Sequence, residues 1–417
     1  MHFTNRRDSA VPAAQKAFFA SGATRDVGGR LSRLGILQRM ISENEATLLE
    51  SLRHDLGKPR PEAYASEIAA TLAEIRTARR HLKQWVRPTK QHAPLFAGPS
   101  SARDYPVPYG TALIIGPWNY PLNLVAVPLA SALAAGNCCI LKPSEYAPAT
   151  ARTIDKLCER YFSPAEVACV TGGAKATQRL IANRPDFVFF TGGTNAGRKV
   201  LQACATHLIP TVMELSGCNP AIVDGTVPAD VGARTLAWTK FFNAGQTCVA
   251  PNVCWVHESQ VERFTQCLVE TVHKFYGPAP RSSRDYARIV NRRHVRRLRD
   301  LLARSGGTIM TGGTIVEPER YVPPTVVRVE NRRSPLLAGE IFGPILPVIS
   351  YKRLSAALAS IREAPDPLVV YLFSVDSTVQ DTVRHQTVSG NYAINAGLEI
   401  VATTTLPFGG VGTGGMG

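Results

Sequence analysis

Apolar residues recur at mixed three- and four-residue spacing between Ser9 and Trp85, as at Leu31, Leu34, Leu37, Met40 and Ile41. That period predicts helix, with a second long helix over 62–85. Pro88, Pro94 and Pro99 then break the pattern, and 102–108 reads as extended. This stretch is expected to be a connector, or an arm made of edge strand. From residue 111 onward a different rhythm begins. Short apolar runs at 112–115, 138–141, 166–170, 187–190 and 211–215 predict strands. Between them, 124–135, 149–161, 175–181 and 195–205 carry helical spacing. Five strands alternating with four helices imply a parallel sheet covered on both faces. The second half continues the alternation. Helices are expected at 229–242, 259–275, 354–363 and 379–387, and strands at 253–257, 345–350 and 368–373. The fold class is therefore α/β, with a Rossmann-like parallel sheet in the first half and a second α/β domain. No fixed-period repeat and no low-complexity tract is present.

In parallel sheets ligands collect beyond the carboxyl ends of the strands. The residues there are chemically rich. Gly116, Pro117, Trp118 and Asn119 follow the first strand, and Lys142, Pro143, Ser144 and Glu145 follow the second. TGGTNAG at 191–197 follows the fourth, and Glu214, Ser216 and Gly217 follow or close the fifth. Lys142 and Glu145 can bond a pair of sugar hydroxyls. Gly192 and Gly193 permit close backbone approach to a pyrophosphate at a helix N-terminus. The GxGxxG fingerprint is absent, so a plain tight turn remains the alternative for these glycines.

One cysteine stands out. FFNAGQTCVAP at 241–251 places Cys248 on a small-residue turn with no second cysteine nearby. A thiol so presented can attack an electrophilic carbon if something lowers its pKa. A small buried hydrophobe is the plainer reading of a lone cysteine.

Composition narrows the class. At 417 residues the chain is long enough for two or three domains. No apolar run of about 18 residues exists, so no membrane-spanning helix is expected. MHFTNRRDSAVP at the start has charge but no apolar core, so no secretory signal is expected. Nine scattered cysteines without a CxxC pair argue against a disulfide framework or a metal site and favour a reducing cytoplasm. The net charge of +15 is compatible with anionic partners. Its densest run, NRRHVRRLR at 291–299, has helical spacing and reads as a solvated helix face. No nucleic-acid module accompanies it, so no nucleic acid is expected as partner.

Seven segments together carry a resemblance. They are GPWNYPLN at 116–123, AAGNCCILKPSE at 134–145, FFTGGTNAG at 189–197, MELSGCNP at 213–220, NAGQTCVAP at 243–251, EIFGPILP at 340–347 and LPFGGVG at 406–412. In this order they resemble the aldehyde dehydrogenase superfamily, and more closely its class 3 branch. The resemblance implies a cofactor-binding domain over 1–84 and 107–213 and a bridging, oligomerising arm over 85–106. It further implies a catalytic domain over 214–395 and a shortened C-terminal segment over 396–417. It makes Cys248 the nucleophile, Asn119 an oxyanion donor and Glu214 the general base. Trp118, Lys142, Glu145, Gly192, Gly193, Gly197, Glu340 and Phe342 become cofactor contacts. NAD is the implied cofactor, with NADP usable; the implied substrate is an aromatic or medium- to long-chain aliphatic aldehyde, and the implied assembly a homodimer.

The chain departs from the family pattern at several places. Ser216-Gly217-Cys218 stands where Gly-Gly-Lys is usual, and the Cβ of Ser216 is expected to crowd the nicotinamide or shift the backbone. Gly193 replaces a frequent Ser, a loss for which Thr194 can compensate. Ala396 and Ile400 replace an Asp and a His. Relatives continue beyond the position of Gly417 through an aromatic and basic segment. Three readings of that difference stay open: a trimmed active enzyme, a looser dimer, or a decaying copy. Two rival functions follow, a CoA-acylating dehydrogenase and a non-catalytic pseudoenzyme. Glu214 weighs against the first, and the joint presence of Asn119, Glu214 and Cys248 against the second.

Overall fold

A computed structural model describes residues 7–94, 96 and 98–416. Residues 1–6, 95, 97 and 417, which fall within the expected segments, lie outside the described residues. The chain divides into two compact units. One comprises the chain up to residue 51, 65–190 and 199–211; the other comprises 52–64, 191–198 and 212 onward.

In the first unit, β1 (Thr89–Gln91) and β2 (Ala102–Asp104) form an exposed antiparallel ribbon, with Lys90 opposite Arg103. β2 lies in 102–108, the stretch expected to be extended, and β1 lies before it. The sheet follows with β3 (Thr111–Ile115), β4 (Cys138–Lys142), β5 (Val167–Cys169) and β6 (Phe187–Thr191). Here β6, β3, β4 and β5 lie side by side, all parallel. Every residue of β3 and β4 is buried, as a sheet covered on both faces requires. Helices Asn123–Ala135, Pro148–Tyr161 and Ala174–Ala182 fill the intervals the sequence assigns to helix. Helices Val27–Ser42 and Ala70–Trp85 pack on one another and on Asn123–Ala135. The helix expected over 62–85 contains one widened turn, a π-helical segment at Tyr64–Ala69 that periodicity alone does not signal.

From residue 212 onward the second unit opens with the rest of β7 (Thr211–Glu214). Its main sheet contains β8 (Pro220–Val223), β9 (Val253–His257), β10 (Thr308–Thr311), β11 (Thr325–Arg328), β12 (Ile345–Tyr351), β13 (Val369–Phe373) and β14 (Asn391–Ile394). The order is β10-β11-β12-β9-β8-β13-β14, and only β10 runs antiparallel. Helices Ala229–Phe241 and Val261–Tyr276 pack together over a core that includes Leu236, Phe264, Val348 and Phe373. A last strand, β15 (Gly415–Met416), lies antiparallel to β7 and places Gly415 opposite Glu214. Four strands, β8, β10, β11 and β14, have no counterpart in the periodicity. Each is four residues long, but length alone does not hide a strand, since β7 is as short, β5 is shorter, and both fall in expected runs.

The basic run folds as helix Arg292–Ala303, capped by the Asn291 side chain, which accepts from His294 N at 3.0 Å. Its charge is not all solvated. Arg296 and Arg299 both bind Glu317, at 2.6 and 3.0 Å, and Arg297 turns inward. Among the described residues no helix is long and apolar enough to cross a membrane.

Gly136 closes helix Asn123–Ala135 in the left-handed region, at φ 91°. A Cβ there would come within 2.7 Å of the Arg30 guanidinium, which itself bonds Thr24 O and Ala134 O. Gly136→Ala is therefore expected to cost at least about 1–2 kcal/mol from backbone strain alone. A urea midpoint unchanged from wild type would contradict both the left-handed cap and the Arg30 contact.

Candidate active site

The site in the second unit is built on a strained turn. Helix Ala229–Phe241 ends in the apolar sequence LAWTKFF. Asn243, Ala244 and Gly245 then take positive φ angles of 52°, 50° and 69°. Three left-handed residues in a row are costly for any but glycine. At Gly245 the requirement is absolute, since a Cβ would lie 2.3 Å from Gly343 O. Hydrogen bonds hold the turn. Glu62 Oε1 accepts from Asn243 N at 2.9 Å. The Gln246 side-chain amide donates to Asn243 O and Arg288 O, both at 3.0 Å, and accepts from Val290 N at 2.9 Å. The chain leaves this turn directly into Thr247 and Cys248.

Cys248 is partly buried, and its flanking backbone is fixed. The buried Asn219 amide donates to Cys248 O at 2.7 Å and to Ala250 O at 3.0 Å, and accepts from Val369 N at 3.0 Å. Tyr371 donates its hydroxyl to Val249 O at 2.6 Å. Burial pushes the Cys248 thiol up to about 12, and the nearby carboxyls of Glu340 and Glu214 add to the rise. The backbone N–H groups of Cys248 and Val249 pull the other way and do not outweigh it. At rest this cysteine is a thiol.

Glu214 ends β7. Its backbone O accepts from Gly192 N at 3.0 Å. One carboxyl oxygen, Oε2, is buried and has no hydrogen-bond partner. The glycine-rich chain end packs beside it, so that a Cβ on Gly409 would stand 3.5 Å from Oε1. Burial lifts this carboxyl to about 7.

Glu340 and Phe342 lie on the loop before β12. Asn252 anchors that loop, donating to Gly339 O at 3.0 Å and accepting from Ile341 N at 2.8 Å. Arg297 donates to Ile341 O at 2.7 Å and Phe342 O at 3.2 Å. Phe342 sits at φ 44°. Burial raises the Glu340 carboxyl to about 7, while a hydrogen bond from Ser216 and the charges of Arg297 and Lys240 act against the rise. The Cβ of Ser216 thus carries a hydroxyl that meets Glu340. Gly217 beside it allows no side chain, because a Cβ would come within 2.6 Å of Asp366 O. Lys240, only 1% exposed, has its ammonium pushed down to about 7 by burial.

Gly193 is exposed, and a Cβ there would meet nothing within 4 Å. Gly193 O accepts from Ala196 N and Gly197 N, both at 3.0 Å, which starts helix Thr194–Ala205. The Thr194 hydroxyl donates to Thr413 O at 3.5 Å.

In the first unit, Trp118 and Asn119 follow β3 after Gly116 and Pro117. Gly116 N donates to Lys142 O at 3.1 Å, which starts their turn, and Asn119 is buried. Lys142 ends β4. Its ammonium donates to Gly172 O at 2.7 Å, to Pro143 O at 2.9 Å and to the exposed Glu145 carboxylate at 3.2 Å. The two residues expected to share a ribose are thus paired with one another. The ammonium's three N–H groups are all used, and the exposed Glu145 carboxylate is the group placed to accept from a sugar diol. The open approach at Gly193, ahead of a helix N-terminus, likewise fits a pyrophosphate. No set of three His, Cys, Asp or Glu suited to a metal occurs among the described residues.

Sequence reasoning did not single out the supporting residues Asn219, Gln246, Asn252, Glu62, Arg297 and Lys240. Asn219 and Gln246 lie inside motifs that were read for other members. Lys240 had a usable signal, a single charge in the apolar helix end LAWTKFF.

Known proteins resemble this chain along nearly its whole length. The model of the aldehyde dehydrogenase family matches residues 4–417. A 4,4'-diaponeurosporen-aldehyde dehydrogenase of Staphylococcus aureus is 43% identical over 96% of this chain and 88% of its own length. Aldehyde dehydrogenase family 3 member B1 of Rattus norvegicus is 41% identical over 96% of this chain and 85% of its own. The solved substrate-bound state of Staphylococcus aureus AldH superposes with a TM-score of 0.95 at 41% identity, covering 100% of this chain and 90% of that one.

The raised Glu214 carboxyl has a consequence for stability. Unfolded, it loses its proton near its ordinary value of 4.5; folded, near 7. Between these values the unfolded state binds fewer protons, so stability falls as pH rises and levels off above about 7. Glu214→Gln removes this loss. Its melting temperature is expected to gain on wild type between pH 4.5 and 7 and to keep that gain at pH 8. A gap that narrows as pH rises would contradict a carboxyl held protonated by burial.

Proposed function

Since the chain belongs to the aldehyde dehydrogenase family, and is an enzyme of it, we propose that it oxidises an apolar aldehyde to the carboxylic acid, with NAD(P) as hydride acceptor. The substrate class is aromatic or medium- to long-chain aliphatic. The observation that carries the reading is the electrostatic proximity of Glu214 and Glu340 to the Cys248 thiol. A nucleophile and a base with a value near neutrality belong to one environment, as acyl transfer requires.

In this mechanism the Cys248 thiol gives up its proton to solvent, which leaves Glu214, poised near 7, able to act as base in the later step. The sulfur then bonds the aldehyde carbon, and the carbonyl oxygen gains the negative charge. The backbone N–H of Cys248 and the side-chain amide of Asn119 donate to that oxyanion. Bound NAD(P) supplies the hydride acceptor. With the hydride gone, a thioester remains on Cys248. Glu214 next takes a proton from water, whose oxygen attacks the thioester carbon. The acid leaves, and the sulfur recovers its proton. Trp118, Lys142, Glu145, Gly192, Gly193, Gly197, Glu340 and Phe342 would hold the cofactor. Their role here is to bind and orient it.

The apolar substrate reading draws on residues around the nucleophile. Phe242, Ala396 and Ile400 are partly buried and pack on the same core as Cys248. Ala396 and Ile400 remove polar groups that the class 3 pattern places there. The Staphylococcus aureus relative, by its name, acts on a diaponeurosporen aldehyde. A reducing, cytoplasmic setting suits nine free thiols, and a homodimer follows the family reading.

The direct test follows cofactor reduction with hexanal, benzaldehyde and a longer aldehyde, without coenzyme A. Cys248→Ser is expected to abolish reduction while cofactor still binds, and an acyl adduct should be trapped on wild type alone. Glu214→Gln should give a burst of reduced cofactor followed by turnover slowed about 100-fold or more. In wild type the slow step should speed up with rising pH through about 7, as Glu214 ionises. An adduct on another cysteine, or turnover that requires coenzyme A, would overturn the reading.

Cofactor choice turns on Glu145. Its carboxylate favours a ribose diol and repels a 2′-phosphate, so NAD is preferred and NADP usable. Glu145→Gln should move the ratio of kcat/KM values toward NADP. A ratio that does not move would mean the carboxylate does not face the ribose.

A further inference from the structure

We propose that Glu67 is the positioning residue for Asn119, a buried carboxylate that fixes the turn on which the oxyanion donor stands. This rests on the role proposed for Asn119.

The local chain explains the need. Helix Asn123–Ala135 begins immediately after the sequence Trp118-Asn119-Tyr120-Pro121. Its first amides have no partner within the helix. Pro121 has no N–H to satisfy. Leu124 N reaches Tyr120 O at 3.0 Å, and Val125 and Ala126 N both reach Leu122 O. That leaves the N–H groups of Leu122 and Asn123. Leu122, in the cap position, has no side chain able to serve them.

Glu67 answers both. Its Oε2 accepts from Leu122 N at 3.1 Å and from Asn123 N at 2.9 Å. The side chain is fully buried, at 0% exposure. A second bond holds the same junction. Asn123 donates its side-chain amide to the Thr71 hydroxyl at 3.0 Å, and that hydroxyl donates to Glu67 O at 2.6 Å. Glu67 itself lies in the widened turn Tyr64–Ala69. Such a turn adds a residue to the helical repeat and re-aims the side chains that follow, and it recurs at functional sites.

The turn carrying Asn119 is therefore tied at two ends. At the entry Gly116 N holds Lys142 O, and at the exit one carboxylate oxygen holds two successive amides. Asn119 stands three residues before the first of those amides. A charge-assisted bond is the stiffest anchor available there, and the helix dipole favours a negative group at this end. Oxyanion donors act only when aimed before the charge forms, so a small shift of the turn is costly in rate.

The test uses the whole protein. Hydrogen exchange across 116–126, measured without cofactor, should speed up about tenfold or more in Glu67→Ala. Single-turnover acylation should slow about 30- to 100-fold, while iodoacetamide still alkylates Cys248 at the wild-type rate. Glu67→Gln keeps an acceptor oxygen and should restore acylation to within about fivefold. Adding Glu67→Ala to Asn119→Ala should slow acylation no further, because there is no aimed amide left to lose. If Glu67→Ala does not fold, Thr71→Val and Glu67→Gln carry the same comparison, with smaller exchange and rate changes that again vanish in the Asn119→Ala background. Unchanged exchange, or an equal slowing with and without Asn119, would overturn the proposal. Should Asn119→Ala itself leave acylation untouched, the site reading fails at Asn119, and exchange then judges separately whether Glu67 holds the turn.

Discussion

Cys248, the proposed nucleophile, depends on a piece of backbone that the chain would not adopt unaided. Three consecutive left-handed residues, Asn243, Ala244 and Gly245, reverse the chain between a helix and Cys248. Two of them carry a Cβ, and each then costs about 1–2 kcal/mol. The third cannot carry one, because Gly343 O occupies the space. The same contact locks the cysteine turn to the loop bearing Glu340, since Gly343 follows Glu340 by three residues. Strain at the nucleophile and placement of Glu340 are thus one packing arrangement. Glu62 and Gln246 supply the hydrogen bonds that make the arrangement stable.

Burial then sets the protonation of everything nearby. Cys248, Glu214 and Glu340 are all pushed toward their neutral forms, and Lys240 toward its own. A resting site with a thiol and two carboxyls near neutrality carries little fixed negative charge. That suits an incoming aldehyde with an electron-rich oxygen. It also means the thiolate has to be made during the reaction rather than stored. The thiolate is the form that alkylating and oxidising agents attack, so a thiol held neutral by burial reacts with them more slowly. Ser216 belongs to this balance. Where the family pattern has a bare glycine, its hydroxyl supports the charged form of Glu340 against desolvation.

The alternation of strands and helices was legible because both faces of each sheet are covered. β3 and β4 are buried throughout and mostly apolar, and the intervening helices show their period plainly. Strands β8, β10, β11 and β14 were not legible, since each takes its identity from its neighbours in the sheet rather than from its own pattern. The residues proposed to do chemistry were legible through seven motifs in order. Their supports were not. Asn219, Asn252 and Gln246 act through amide contacts with distant backbone, at Val369, Gly339 and Arg288. Nothing local in the sequence announces such a partner. The basic run at 291–299 was read as a solvated face, and for Arg292 and Arg293 that fits. Arg297 differs because it is half-buried, and its guanidinium donates to Ile341 O and Phe342 O on the Glu340 loop.

The choice of amides as supports has its own logic. A buried backbone turn offers both N–H and C=O groups, and each must be satisfied. A carboxylate can answer only the first and an arginine only the second. One Asn or Gln side chain answers both without bringing a charge. Asn219 does so at Cys248 O, Ala250 O and Val369 N, and Asn252 does so at Gly339 O and Ile341 N. A full charge beside Cys248 would move its pKa and that of Glu214, so neutral supports leave the acid–base balance to the reacting groups alone. Charged anchors, Glu62 and Glu67, appear where only N–H groups are open, at Asn243 and at Leu122 and Asn123. The division of labour between neutral and charged anchors therefore follows the hydrogen-bond demand of each turn.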